Sequence, residues 1–138
     1  NYGNVLAQQD RDDEALPLYL ESLAVRRQAF GPDSDSMASQ HLNIGRLLLK
    51  MNRPEEAVPH LADALRIFPR YRDESSIYLR VGRMSYARAL LLSSDDPQER
   101  GEAIAVLEAV VAAFEEDGDM RESRFLEQAR DWLSDARR

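Results

Sequence analysis

The side chains with chemical potential in this chain are cations and amides that recur at helical spacing. Asn43, Arg46 and Lys50 stand three and four residues apart, so a helix would place them on one face. Asn1, Asn4 and Gln8 repeat that order 42 residues earlier. An amide offers both a donor and an acceptor, the complement of a peptide unit. A guanidinium offers a fork that matches a carboxylate. The chemistry these residues suit is the holding of polar and acidic groups. Further along, two registers stay open. One puts Arg80 and Arg83 on the same face, the other puts Ser85 and Arg88 there, and either supplies arginine.

Catalytic patterns are missing. Glu55-Glu56 and Glu115-Glu116 are adjacent, hence splayed on a helix, and read as solvated faces. Asp95-Asp96 has the acids of a calcium loop without its Gly or its distal Glu. His41 reads as a core position and His60 as a helix residue beside Pro59. Neither has a second histidine four residues away, so no metal site is expected. No Gly-rich phosphate loop, protein-kinase motif or nucleophile with a base is found. The expectation is a non-enzyme with no cofactor and no metal.

Composition narrows the partners. The formal charge of -7 argues against DNA, RNA or anionic membrane, which need a basic field. A hydrophobic share of 43% allows an ordinary core. There is no cysteine, which fits a reducing compartment and a cytoplasmic location. No run approaches the roughly 18 apolar residues of a membrane span. Arginine outnumbers lysine to the point that Lys50 is the sole lysine, a coding bias that hints at a GC-rich bacterial genome. The chain opens on Asn1 rather than Met, and is expected to be part of something longer.

The elements that must position these residues come from an internal repeat. Under a shift of 42 residues, Gly3 falls on Gly45, Leu6 on Leu48, Ala15 on Ala57 and Pro17 on Pro59. Tyr19 then meets Leu61, and Leu23 meets Leu65. Each unit reads as a helix A, a tight turn and a helix B. The partial unit, 1–33, keeps the end of helix A (to about Gln9) and a helix B over Asp12 to Phe30. The full unit, 34–72, has helix A from Ser36 to Lys50, a turn through Met51-Asn52-Arg53-Pro54, and a helix B whose stripe is Ala57, Leu61, Ala64, Leu65 and Phe68. The variant unit, 73–117, has helix A from Glu74 to Ser93 and helix B from Gln98 to Asp117. Gly45 to Gly82 is shorter than the period and Ala57 to Ala103 longer, so this helix A is expected to be longer by about two turns. After Gly118 an amphipathic helix over Met120 to Ala136 is expected to cap the array, with Trp132 in the cap's core.

The second unit resembles the tetratricopeptide repeat: His41 where a large residue is usual, then Ile44-Gly45, Leu48, Ala57, Leu61, Ala64 and Pro69. The long period and the loop Gly31-Pro32-Asp33 look like the kinesin-light-chain variety. The tail is similar to the C-terminal ends of bacterial serine/threonine kinases that carry such repeats. The resemblance implies an all-α fold, a right-handed α-α superhelix of antiparallel helix pairs. It also implies a groove lined by A helices, in which an asparagine two residues before the Gly binds peptide backbone; Asn1 and Asn43 hold that place. Asn4, Asn43, Arg46, Lys50, Arg80, Arg83 and Arg88 are the expected groove residues.

Charge sorts by helix type. The two full A helices hold Arg46, Lys50, Arg80, Arg83 and Arg88 against Asp35 and Glu74, whereas acids outnumber arginines heavily on the B helices. A basic groove on an acidic body favours an acidic peptide or a C-terminal carboxylate. The expected function is therefore a protein-binding module, part of a larger regulatory or signalling protein. The rival is a structural spacer or a weak homodimer formed through the exposed end of the array.

Overall fold

The computed structural model describes residues 11–118 and 123–138. Among them are six α-helices and no strand: α1 (Asp12–Phe30), α2 (Asp35–Lys50), α3 (Pro54–Ile67), α4 (Ile77–Ser93), α5 (Pro97–Asp117) and α6 (Ser123–Ala136). A short 3-10 turn, Phe68–Arg70, follows α3. Phe68, expected in the helical stripe of helix B, sits in this turn and is fully buried.

Local chemistry sets the boundaries. Ser34 and Ser76 cap α2 and α4, their hydroxyls accepting from the backbone N–H of Met37 and Tyr78 at 3.2 Å. Pro54 and Pro97 open α3 and α5, where the missing N–H costs no helical bond. Asn52 turns the chain out of α2 with φ 61°, and Gly118 ends α5 with φ 63°, both left-handed conformations that these residue types tolerate. Arg100 donates to the carbonyls of Leu91 and Ser94 at the end of α4, satisfying groups the helix leaves open.

Each helix packs on the next, and short turns make neighbours antiparallel. The even-numbered helices also touch one another, α2 against α4 and α4 against α6. Gly45 explains why α2 and α3 cross so closely: a Cβ there would lie 2.4 Å from Leu61 Cγ. One core joins α1 to α4 around Leu61, Ile67 and Phe68, and a second joins α4 to α6 around Met84, Leu107 and Phe114. The loops are stitched as well. Arg72 forks onto the Asp35 carboxylate at 3.1 and 2.8 Å, while Arg66 donates to Asp33 at 3.0 Å.

The expected lengthening of the third helix A is corrected. α4 has 17 residues and α2 has 16. The caps Ser34 and Ser76 keep the 42-residue period, and the place of Gly45 is taken by Ala87, also buried. Gly82 has a different part: its side-chain space is filled by Leu65 of the preceding helix pair. The extra residues lie in α5, which has 21 residues against 14 in α3. Its buried stripe, Ala103, Leu107 and Val110, begins about one turn later after the opening proline than the stripe of α3 does.

Candidate functional site

The even-numbered helices line a cavity of about 830 Å³. α2 contributes Asn43, Arg46 and Lys50; α4 contributes Ser85, Arg88 and Leu92; α6 contributes Arg124, Gln128 and Trp132. Each set is spaced by three or four residues, because only one helical face can look into the cavity. Tyr19 of α1 and Asn52 complete the polar wall. Four lining residues are cations and none is an acid, in a chain whose formal charge is -7.

The cations are held in different ways. Lys50 Nζ is 3.4 Å from an Asp12 carboxylate oxygen. Arg88 lies over the Trp132 ring, 5.7 Å from its centroid, with Asp135 3.7 Å away at the rim. Arg46 and Arg124 share one aromatic surface, their guanidiniums 5.5 and 4.7 Å from the Phe125 centroid. Arg46 remains open to solvent on one side while protein crowds the others. That desolvation, and then the charge of Arg124, pushes its pKa down. A guanidinium stays protonated at neutral pH all the same.

Asn43 is exposed and within 3.4 Å of the Gln40 amide oxygen, which orients its side chain. Ser85, also in the lining, is only 1% exposed, and its hydroxyl has no hydrogen-bond partner among the described residues. A buried hydroxyl without a partner carries a desolvation cost.

Arg80 and Arg83 lie elsewhere. Arg80 is buried against the Phe114 ring, 5.4 Å from the centroid, and pairs with Asp117 of α5. Arg83 forks onto Glu74 at 2.6 and 2.9 Å. Both face away from the cavity, and of the two registers open in the sequence the one through Ser85 and Arg88 reaches it. Asn4, like Asn1 and Gln8, falls outside the described residues. Sequence reasoning missed the α6 wall entirely. Arg124, Gln128 and Trp132 did stand at helical spacing, a signal that could have found them. Trp132, expected in the cap's core, packs partly on the second core and partly lines the cavity.

The two histidines, read in the sequence as a core position and a helix residue, meet: His41 Nδ1 and His60 Nδ1 are 3.0 Å apart. No group of three or more His, Asp or Glu side chains among the described residues is arranged to hold a metal ion. No helix among them is long and apolar enough to cross a membrane.

Compared with known families, residues 1–70 match the model described as "Tetratricopeptide repeat". A search of curated proteins found no match.

Proposed function

The chain belongs to the tetratricopeptide repeat family, whose repeats generally mediate protein–protein interaction, and we propose that it holds an acidic polypeptide segment in the cavity between α2, α4 and α6. The observation that carries this reading is the lining: Arg46, Lys50, Arg88 and Arg124 without one carboxylate among the lining residues, on an otherwise acidic protein. Such a field attracts a negative partner and repels the chain's own acidic surface. Asn43 supplies the amide for the partner's backbone, and the arginines take its carboxylates, whether side-chain or C-terminal. Arg80 and Arg83, paired with Asp117 and Glu74 and absent from the cavity lining, are left out of this grip.

We further read the array as the kinesin-light-chain-like variety within a larger bacterial regulatory protein. The 42-residue spacing of the caps Ser34 and Ser76 supports the variety. The similarity of the tail to bacterial kinase C-termini supports the context.

The test is a titration of the protein with a ten-residue oligoglutamate and a ten-residue oligolysine at low and high salt. Binding of the acidic peptide alone, weakening as salt rises, supports the reading. Equal binding of both, or affinity insensitive to salt, contradicts it. Self-association is the second reading, favoured by Val25 and Phe30 of α1, which are 60% and 64% exposed. Light scattering over a range of protein concentrations would show a dimer if that surface is used.

A further inference from the structure

The same cavity carries a finer signal, which rests on the reading of it as a groove for an acidic segment. Its cations are unequal. Lys50 has Asp12 beside it and Arg88 has Asp135. Arg46 and Arg124 have no carboxylate among the described residues, although they lie on the same Phe125 ring, and burial first and then the charge of Arg124 lower the pKa of Arg46. Two like charges brought together in a concavity, with no counter-charge among the described residues, call for about two negative charges. One carboxylate supplies half of that. A phosphate monoester supplies roughly -1.5 to -2 at neutral pH, with three acceptor oxygens.

Ser85 gives the second, independent observation. Its hydroxyl is buried, faces the cavity and lacks a hydrogen-bond partner among the described residues. It stands on α4 where Asn43 stands on α2, and Arg88 stands where Arg46 does, so Asn43-Ile44-Gly45-Arg46 and Ser85-Tyr86-Ala87-Arg88 present matched polar pairs on touching helices. A hydroxyl can donate to an oxyanion that guanidiniums of the same cavity hold. We propose that Ser85, Arg46 and Arg124 form an oxyanion subsite that takes the phosphate monoester of a phosphorylated serine or threonine in the bound segment. The phosphoryl group is recognised and released unchanged; no bond is made or broken.

The experiment compares two peptides by calorimetry on the full chain: acetyl-Asp-Asp-phosphoserine-Asp-Asp-amide and its unphosphorylated form. The phosphorylated peptide should bind at least about tenfold more tightly, as charge-assisted pairing to two arginines implies. Arg124→Ala and Arg46→Ala should each remove most of that ratio, and Ser85→Ala should lower it several-fold. Arg124→Lys, which keeps the charge and loses the fork, should keep part of it, and thermal melts of each variant confirm that it is folded. Equal affinity for the two peptides, with both still weakened by Arg88→Ala, overturns the oxyanion subsite and leaves the acidic groove standing. Failure of both peptides to bind overturns both readings. A ratio that survives in both arginine variants places the phosphoryl group elsewhere and overturns the assignment. Inorganic phosphate is the control: if it binds as tightly as the phosphopeptide, the site captures the free anion and the peptide assignment falls.

Discussion

The Nδ1 atoms of His41 and His60 face each other at 3.0 Å across the α2–α3 packing, so one ring donates and the other accepts. The accepting ring is then neutral, with its proton on Nε2, and the donating ring carries a proton on Nδ1. Burial pushes both pKa values down, and for His41 the neighbouring His60 pushes further. Asp63 on α3 pulls each of them back up, while Arg66 of α3 and Arg27 of α1 oppose protonation of His41.

The sign of the pH effect follows. A histidine whose folded pKa lies below its unfolded value contributes stability above the unfolded pKa, near 6.5, and loses it as pH falls through the folded pKa. The melting temperature should therefore drop as pH falls from 7.5 to 5, before the carboxylates of Glu56, Asp73 and Glu74, whose pKa values are lowered, begin to protonate. Replacing both rings, as in His41→Phe with His60→Leu, should flatten the curve in that window. Melts at half-unit pH steps would show it, and an equally steep fall in the double variant would refute the pairing.

Three glycines should respond to alanine in three ways. Gly45→Ala forces a Cβ against Leu61 at 2.4 Å and should destabilise by about 1–3 kcal/mol, the usual range for overpacking. Gly82→Ala meets only the flexible end of Leu65 at 3.1 Å, and should come out near neutral as helix propensity offsets the contact. Gly101→Ala meets nothing within 4 Å in the second turn of α5 and should stabilise by about 0.5–1 kcal/mol. Denaturant midpoints of the three variants test the order.

Arg72 ties two turns of the array together. It forks onto Asp35 and lies 4.0 Å from the Tyr78 ring centroid. Arg72→Ala should cost about 1–2 kcal/mol through loss of a bidentate pair and a cation–π contact. Arg72→Lys should recover only part, since lysine lacks the fork. Chemical denaturation of both variants measures the difference.

How much of this could be read in the sequence depends on how local each cause is. Gly45, Ala57 and Leu61 were legible, because close helix crossing demands small and apolar residues at fixed spacing. The bounds of α1 were legible from the acids of its first turn and from Gly31. The additional turn of α5 was not, since the same apolar stripe permits a longer helix A or a longer helix B, and only packing decides which face is buried. The cavity was half legible. Asn43, Arg46 and Lys50 lie on one helix, so spacing groups them. Arg124 and Trp132 arrive from α6, about eighty residues away, and nothing in one sequence links them to Arg46. Arg80 and Arg83 read as groove residues in one of the two registers, whereas the fold puts Ala87 in the place of Gly45 and pairs both arginines with carboxylates outside the cavity lining.

The central claim is that acidic polypeptide binds in this cavity, and Trp132, the sole tryptophan, sits in its wall as a built-in reporter. The most direct measurement is Trp132 fluorescence on titration with oligoglutamate, in the native chain and in Arg46→Glu with Arg88→Glu. The native chain should give a saturable change that the double reversal abolishes, with oligolysine gaining binding in its place. A saturable response that is the same in both proteins, or no response to oligoglutamate in the native chain, would contradict the claim.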